Sequence, residues 1–401
     1  MRIAVAQDAL HAEGGVESYL AAIIPALRAR GHSVAMLFVR RDRGARLVQG
    51  VDGPLLAADE STMDSAIAQL RGWRPDVCFS NNMVLLDLER RMLDEWPVVK
   101  FMHGYAGTCV SGLKMHAFPV RAACSRTFGP SCLALYAPRR CGAMSPGALA
   151  RGYRWSRQQQ RLFRRYDAVV VASQHMIEEY TRNGVPSDRI ALAPLFASPG
   201  PRPAAHAASD TVLFLGRMTH LKGGDLLIRA TARASRRLGR SISLVMGGDG
   251  PQRNAWERLA SAEGADARFT GWLDAEARAL ELARATLLAV PSVWPEPFGL
   301  VGLEAAGAGV PAVAFDTGGV RQWLRHDVTG LLAPASGGVA SLADALARVL
   351  DDDGLRSRLG SGAAAAAAEM SCDAHLDALE GLLMRAAARA AAAGGAIEAS
   401  R

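Results

Sequence analysis

Two glutamates, Glu296 and Glu304, stand eight residues apart in the run PEPFGLVGLE at residues 295–304. Apolar residues predict a strand at Leu287–Val290 and a helix at Leu300–Gly307. Glu296 therefore lies in the connecting loop, whereas Glu304 lies on the helix. A carboxylate beyond the end of a strand can accept hydrogen bonds from two adjacent hydroxyl groups of a sugar or ribose. The alternative is that both are ordinary acidic side chains of a surface helix.

The start of the same predicted helix offers a second kind of chemistry. Phe298, Gly299 and Leu300 present backbone N–H groups that have no partner within the helix, at the positive end of the helix dipole. A terminus of this kind is suited to binding a phosphate group.

A cationic, glycine-rich run, GRMTHLKGG, occupies residues 216–224 directly after a strand predicted at Val212–Leu215. Gly216 allows the backbone to approach a ligand closely, and Arg217 and Lys222 supply two positive charges. A departing diphosphate requires such charge, because negative charge develops on it. Lys222 is one of only three lysines in an arginine-rich chain, which favours a specific need for a compact ammonium group. The alternative is a basic turn that caps the next helix.

Three further signals are weaker when each is taken alone. Gly14 and Gly15 form a glycine pair after the first predicted strand, which in isolation is more typical of a turn. His103 ends another predicted strand, where a histidine is more often structural. Gly248 belongs to the glycine-rich run GGDG at residues 247–250, which follows a strand predicted in the second half.

Short apolar runs alternate with amphipathic stretches in both halves of the chain, which predicts an α/β protein with parallel sheets covered on both faces. The Pro-rich stretch at 194–210 interrupts the alternation and is interpreted as a linker. Open α/β sheets bind ligands beyond the carboxyl ends of their strands, so the loops described above are expected to face a cleft between two domains. The predicted parts are an N-terminal domain at 1–193 with an insert at 104–147, a C-terminal domain at 211–365, and a helix with an alanine-rich tail at 366–401.

These motifs, in this order and each at the end of a strand, resemble retaining glycosyltransferases of family 4 (glycosyl transferases group 1 type), in particular bacterial members with a cysteine-rich insert. The resemblance spans almost the whole chain. It implies the GT-B fold, in which two Rossmann-like parallel-sheet domains face a central cleft. It also implies transfer of a sugar from a UDP- or GDP-sugar to a polysaccharide or lipid-linked acceptor in cell-envelope glycan synthesis.

The resemblance also implies roles for individual residues. Glu296 would contact the donor sugar, Glu304 the ribose, and Arg217 with Lys222 the diphosphate. The residues expected to take part in the reaction are Glu296, His103, Arg217 and Lys222. The residues expected to bind the donor are Gly14, Gly15, Gly216, Arg217, Lys222, Gly248, Phe298, Gly299, Leu300 and Glu304.

No catalytic nucleophile or base is evident in the sequence, and the resemblance offers a reason. Retaining members of the family react on the donor's own face, and the leaving phosphate helps to deprotonate the acceptor. The protein then supplies positioning and charge stabilisation. We therefore expect no cofactor other than the nucleotide-sugar substrate and no catalytic divalent metal.

The insert contains four of the six cysteines, and their chemistry admits three interpretations. They could hold a structural zinc ion or an iron–sulfur cluster, although their spacing lacks tight Cys-x2-Cys pairs. They could instead form two disulfides, which is unusual in the cytoplasm, or serve as small core hydrophobes. The candidate metal ligands are Cys109, Cys124, Cys132 and Cys141.

Residues 101–166 contain eleven basic residues and no acidic residue. Such a segment indicates an anionic partner, and a solvated basic surface is the alternative. With the resemblance, we expect a phosphorylated or lipid-linked glycan acceptor and peripheral contact with an anionic membrane, and no nucleic acid. The sequence shows no signal peptide and no apolar run long enough to span a bilayer. We therefore expect a cytoplasmic protein, with a peripheral position at the inner face of the cytoplasmic membrane as a variant.

Two other functions remain open at this point. A nucleotide-sugar epimerase of the same fold would share the two domains, but the paired glutamates and the cationic turn resemble transferases more closely. A non-catalytic assembly or membrane-associated component would retain the fold without turnover. A dinucleotide-dependent oxidoreductase is disfavoured, because no Gly-x-Gly-x-x-Gly follows the opening strand of either half.

Overall fold

A computed structural model of the chain describes residues 1–10, 15–42, 49–196 and 210–399, the last with side chains as far as residue 392. Gly14 and most of the predicted linker at 194–210 lie outside the described residues. The strands are β1 Arg2–Leu10, β2 Ser33–Arg41, β3 Leu55–Ala57, β4 Val77–Asn81, β5 Val98–Met102, β6 Met115–His116, β7 Ala122–Ala123, β8 Ala168–Val171, β9 Ile190–Leu192, β10 Thr211–Leu215, β11 Ser243–Gly247, β12 Ala267–Gly271, β13 Leu287–Val290, β14 Ala312–Phe315 and β15 Gly330–Ala333.

The helices alternate with these strands over most of the chain. They are α1 Gly15–Ala29, α2 Met63–Trp73, α3 Leu86–Glu95, α4 Ser131–Leu135, α5 Pro146–Leu162, α6 Gln174–Arg182, α7 Gly224–Leu238, α8 Arg253–Glu263, α9 Ala275–Arg284, α10 Leu300–Gly307, α11 Gly338–Asp351, α12 Asp353–Glu369 and α13 Cys372–Ala399. Short 3-10 helices lie at His220–Lys222, Gly318–Gln322 and Ala335–Gly337.

The described chain divides into two compact units, and neither is continuous in sequence. The first comprises Met1–Leu113, Arg126–Ala193 and Asp373–Arg401, and the second comprises Lys114–Ser125 and Pro194–Cys372. The sequence predicts that the whole insert at 104–147 belongs to the first domain and that residues 366–401 form a separate C-terminal part. In the structure a piece of the insert, which includes the antiparallel hairpin β6–β7, groups with the second unit, and α13 groups with the first.

The sheet of the first unit has seven strands in the order β3-β2-β1-β4-β5-β8-β9, all paired in parallel. The strand order reverses between β1 and β4. In open parallel sheets this switch point opens a crevice beyond the carboxyl ends of the strands. Strand β1 is buried from Ile3 to Leu10, which explains its unbroken apolar start, because parallel strands are covered on both faces.

The sheet of the second unit has six strands in the order β12-β11-β10-β13-β14-β15, again all in parallel. Its switch point lies between β10 and β13. The cationic run at 216–224 follows β10, and the Glu296 loop follows β13, so the topology brings the two strongest sequence motifs to neighbouring strand ends. The predicted α/β fold with two parallel sheets is confirmed.

Some predicted elements differ from the structure. The sequence predicts a helix at Val320–Arg325, and the structure has a short 3-10 helix at Gly318–Gln322 instead. Strands β3, β9 and β15 and helix α2 were not predicted. Within the described residues, no helix combines the length and the apolar character that a membrane span requires.

Candidate functional site

Glu296 is buried in the loop after β13 and pairs with Lys222 from the loop after β10. Its Oε1 accepts from Lys222 Nζ at 2.6 Å and from the Ser292 hydroxyl at 2.5 Å. Burial opposes ionisation, but the charge and hydrogen bond of Lys222 and further hydrogen bonds from Ser292 and Trp294 lower the pKa of Glu296 overall. Glu296 is therefore an ionised carboxylate, 3% exposed, at a switch-point strand end.

The Lys222 loop is held against the Glu296 loop by close backbone contacts. The Val293 amide donates to the Leu221 carbonyl at 2.9 Å. At Gly223, where φ is +64°, a Cβ atom would lie 2.0 Å from the carbonyl oxygen of Pro291, so only glycine allows this approach. The ammonium of Lys222 also lies 5.6 Å from the centre of the Trp294 ring, within the range of a cation–π interaction.

A third loop, after β14, supports Glu296 from its backbone side. The Gly319 amide donates to the Glu296 carbonyl at 2.6 Å. Gly318 has a φ of +56°, and a Cβ atom there would lie 2.5 Å from both the amide nitrogen and the carbonyl oxygen of Glu296. The Thr317 hydroxyl donates to the Ser292 carbonyl at 3.1 Å. The carboxylate is thus fixed by two neighbouring strand ends.

Helix α10 begins directly after the Glu296 loop, as predicted, and the Trp323 side chain fixes the position of its first turn. The Trp323 indole donates to the Phe298 carbonyl at 2.7 Å. A Cβ atom at Gly302 would lie 2.1 Å from the same indole ring, so the ring packs directly on the first turn. Gly299 caps the helix with a left-handed φ of +94°. The amides that follow Phe298 therefore have a defined position at the positive end of α10.

Glu304 lies on α10 and pairs with Arg278 of α9 at 3.3 Å. Burial raises the pKa of Glu304, and the positive charge of Arg278 offsets this in part. Because Glu304 is partly buried, its carboxylate has lost hydrogen bonds with water. Hydrogen bonds from the hydroxyl groups of a ligand would replace them.

Arg217 is exposed and forms no ion pair with the described residues, in contrast to Lys222. Its loop is shaped by Gly216 and Gly248, which lie in contact. The Gly216 amide donates to the Gly247 carbonyl at 3.0 Å, and a Cβ atom at Gly248, where φ is +127°, would lie 2.1 Å from the Gly216 carbonyl oxygen. The glycines at both predicted turns therefore serve close backbone packing between β10 and β11.

In the first unit, Gly15 and His103 line one cavity of about 590 Å³ beyond the β1–β4 switch point. Gly15 begins α1, and His103 follows the last residue of β5. Asp8 contributes a carboxylate that pairs with Arg40 at 2.8 Å and accepts from the Val84 amide at 2.9 Å. The cavity thus lies where the topology predicts a ligand crevice.

His103 is held as a neutral imidazole. Burial, with the nearby charges of Lys100 and His375, lowers its pKa to about 3. Its Nε2 lies 2.9 Å from Asn81 Oδ1, and the Asn81 amide nitrogen is directed to the Phe79 carbonyl at 3.4 Å. Asn81 Oδ1 must therefore accept from His103 Nε2, which leaves Nδ1 of His103 as a hydrogen-bond acceptor.

The C-terminal helix α13 contributes to the same environment. The Tyr19 hydroxyl lies 2.9 Å from His375 Nε2, and the Tyr19 ring meets the His103 ring edge-on at 5.3 Å. Phe101 stacks on the other side of His103 at 4.4 Å. Sequence reasoning missed this support, because His375 is remote in the chain from the motifs.

The metal site predicted at Cys109, Cys124, Cys132 and Cys141 is not formed. Among the described residues, no three His, Cys, Asp or Glu side chains are arranged to hold a metal ion. Cys132 and Cys141 instead pack against a small core of Val110, Phe128 and Tyr136, whereas Cys124 belongs to the second unit. The packing of Cys132 and Cys141 agrees with their interpretation as small core hydrophobes.

Two protein families match the sequence. The family described as Glycosyl transferases group 1 matches residues 203–366, and the family described as Glycosyl transferase 4-like domain matches residues 14–195. The first match contains every candidate donor-site residue of the second unit, and the second contains Gly15 and His103.

Curated relatives match about half of the chain. The α-D-kanosaminyltransferase of Streptomyces kanamyceticus is 36% identical over 174 residues, which are 43% of this chain and 44% of that protein. A D-inositol 3-phosphate glycosyltransferase of Nocardia farcinica is 38% identical over 231 residues, which are 53% of this chain and 49% of that protein. The chain spans about half the length of the curated relatives it matches.

Solved structures share the fold over nearly the whole chain. Sucrose-phosphate synthase from Thermosynechococcus elongatus superposes with a TM-score of 0.71 at 20% identity and covers 96% of this chain and 98% of its own. Anabaena HepE in complex with UDP and glucose gives a TM-score of 0.70 at 18% identity, over 95% and 99% of the two chains. The two family matches together show that the chain belongs to the family-4 type of glycosyltransferases, and the likeness to these structures shows that it has the GT-B class of fold.

Proposed function

We propose that the chain transfers a sugar from a nucleoside diphosphate sugar, UDP- or GDP-linked, to a hydroxyl group of a glycan acceptor. The observation that carries the proposal is the Lys222–Glu296 pair at the β10–β13 switch point, next to the start of α10. It combines a cation, a sugar-binding carboxylate and free helix amides. These are the groups that a diphosphate and the sugar attached to it require.

The diphosphate would bind between the cationic loop and the α10 start. Arg217 has a guanidinium without an ion-pair partner among the described residues, and it can bind phosphate oxygens in a bidentate manner. Lys222 would share its charge between Glu296 and the diphosphate. The amides after Phe298 add the positive end of the helix dipole.

The sugar and the ribose would be held by the two carboxylates. Glu296 is ionised and fixed, so it can accept from two adjacent sugar hydroxyls without paying further ordering entropy. Glu304 would accept from the ribose hydroxyls. Both assignments rest on the family resemblance together with the positions of these carboxylates at one switch point.

The proposed reaction retains the configuration at the anomeric carbon. The bond from that carbon to the phosphate oxygen breaks, and the acceptor oxygen bonds to the same face of the carbon. The departing diphosphate takes the acceptor's proton. Arg217 and Lys222 offset the charge that develops on the diphosphate, so the step is proposed to need no divalent metal.

The acceptor is proposed to be a polysaccharide or lipid-linked glycan, with its reacting hydroxyl in the cavity that contains His103. The name of the D-inositol 3-phosphate glycosyltransferase supports a hydroxylated ring as acceptor, since inositol 3-phosphate is such a ring. We propose a cytoplasmic enzyme of cell-envelope glycan synthesis that contacts an anionic membrane through its basic segment at 101–166.

A thermal-shift panel of UDP- and GDP-sugars tests the donor assignment. A sugar nucleotide at about 100 times its dissociation constant stabilises the protein by about 2.7 kcal/mol. Arg217→Gln should abolish most of this shift. Arg236→Gln is the matched control, because Arg236 is equally exposed and lies about 18 Å along α7 from its start. The proposal fails if no sugar nucleotide stabilises the wild type, or if both variants respond like it.

A further inference from the structure

The four arginines of α5 form no ion pair with the described residues. Several arginines elsewhere in the first unit do have carboxylate partners: Arg165, three residues beyond α5, pairs with Asp94 at 2.6 Å, and Arg71 pairs with Glu95 at 2.7 Å. Arg157 and Arg161 are exposed, yet they form no ion pair with the described residues. Residues 101–166 contain no acidic residue, and in the structure no described carboxylate pairs with the positive charges of Arg157 and Arg161 on α5.

These two arginines line an open pocket at the surface of the first unit. They are four residues apart on α5, so their side chains leave the helix on one face about 6 Å apart. The pocket has a volume of about 430 Å³ and contains no carboxylate. Its lining residues are Phe128, Gly129, Pro130, Tyr153, Arg157, Gln160 and Arg161.

The wall and floor of this pocket are fixed by buried contacts. The Phe128 amide donates to Asn183 Oδ1 at 2.9 Å, and the Gln160 side chain donates to the Asn183 carbonyl at 2.8 Å. The rings of Phe128 and Tyr153 lie 5.0 Å apart. Asn183 is itself 2% exposed, so one buried residue holds both the loop and the helix that form the pocket.

We propose that the pocket between Arg157 and Arg161 binds a phosphate group, with the apolar or glycosyl part of the ligand against the Phe128 and Tyr153 rings. Two guanidinium groups can each donate paired hydrogen bonds to phosphate oxygens. The phosphate can belong to a lipid headgroup or to a soluble phosphorylated molecule. The proposal does not depend on sugar transfer, since no residue of the pocket belongs to the donor site.

The test compares the full-length wild type with two double variants. Arg157→Gln/Arg161→Gln removes the pocket charges. Arg151→Gln/Arg154→Gln removes the same charge from exposed, unpaired positions of α5 that do not line the pocket. Binding of inorganic pyrophosphate is titrated by calorimetry in the presence of UDP, which occupies the proposed diphosphate site, and sedimentation is measured with vesicles of phosphatidylglycerol and of phosphatidylcholine. UDP-sugar binding is measured in the same preparations.

The pocket variant is expected to lose pyrophosphate affinity about tenfold or more, and the control variant less than about threefold, because charge-assisted hydrogen bonds are lost only in the first. If the pocket variant alone also loses sedimentation with phosphatidylglycerol, the phosphate belongs to a lipid headgroup. If sedimentation is unchanged, a soluble ligand is the source. Equal losses in both variants, or no pyrophosphate binding to the wild type, would overturn the proposal. Unchanged UDP-sugar binding separates either result from a failure of the proposed transfer.

Discussion

The Lys222–Glu296 pair allows a quantitative test, because its two halves are buried to different extents. The Glu296 side chain is 5% exposed and the Lys222 side chain 28% exposed. Removing one partner of a buried pair costs about 3–5 kcal/mol when it leaves the other charge buried. Lys222→Met leaves such a carboxylate, with Ser292 still donating, so we expect a loss of about 2–3 kcal/mol in the free energy of unfolding.

The converse variant should be milder. Glu296→Gln removes the charge but keeps the shape and the hydrogen bond from Ser292, and the partly exposed ammonium of Lys222 can regain water. We expect a loss of about 1 kcal/mol. In the double variant no buried charge remains, so its stability should approach that of Glu296→Gln. The resulting coupling energy should be about 2–3 kcal/mol.

Turnover should behave differently from stability in the same four proteins. The double variant regains stability, but it lacks both the cation for the diphosphate and the charged acceptor for the sugar. Its turnover should therefore stay at least as low as that of either single variant. Urea unfolding followed by circular dichroism measures the first quantity, and donor consumption with a glycan acceptor measures the second.

The pH dependence of the free energy of unfolding tests whether the interaction with Lys222 favours the ionised form of Glu296. Lys222 and its hydrogen bond lower the pKa of Glu296 below its ordinary value, so as the pH falls the unfolded state is protonated at this carboxylate before the folded state. The stabilisation is complete above the unfolded pKa and is lost as the pH falls through the folded value. A coupling energy below about 0.5 kcal/mol at pH 7, or a double variant with near-normal turnover, would refute the account of this site.

Three other expectations follow from the same geometry. The pKa of His103 is lowered from 6.5 to about 3, so the free energy of unfolding of the wild type should fall from pH 6.5 towards pH 3 by up to about 1.4 kcal/mol per pH unit. In His103→Asn, urea unfolding at several pH values should show a smaller dependence on pH, by the equivalent of up to one bound proton. Gly318→Ala should lower both stability and UDP-sugar affinity in melting and binding assays, because its methyl group meets the Glu296 backbone. Gly239→Ala, at a left-handed φ of +66° with open space around it, is the control and should cost only about 1–2 kcal/mol. Trp323→Phe should raise the KM for donor about tenfold through loss of the bond to the Phe298 carbonyl, and unchanged kinetics would show that this bond does not position the helix start.

The sequence was sufficient for the parts of the fold that local patterns determine. Helix Leu300–Gly307 matches the predicted bounds, because a glycine marks each end. The order of motifs predicted which strand ends carry charge. The segment that forms the 3-10 helix at Gly318–Gln322 is predicted as an α-helix that begins a few residues later. Apolar residues such as Trp323 and Leu324 do not by themselves show whether a short segment is an α-helix or a turn packed on the sheet.

The cysteines show why spacing alone was misleading. A metal site requires side chains to converge, and convergence depends on where the insert folds. Cys124 belongs to a hairpin segment that groups with the second unit, whereas Cys132 and Cys141 surround Tyr136 in the first. No local pattern marks that division, since residues 114–125 have the same basic and irregular composition as their neighbours. The sequence therefore could not separate ligands from core residues.

The candidate site shows a second limit of prediction from sequence. The residues that position the charged groups are not the charged residues themselves. The charged groups were recognisable from their types, but their geometry depends on three glycines that let neighbouring strand ends touch. Gly223 contacts Pro291, Gly318 contacts Glu296, and Gly302 contacts the ring of Trp323. A glycine in a turn is ordinary, and only its neighbour in space distinguishes one that shapes a binding site from one that merely reverses the chain. Because each close contact joins segments far apart in sequence, the precision of the carboxylate and the cation is a property of the packed sheet edge and not of either motif.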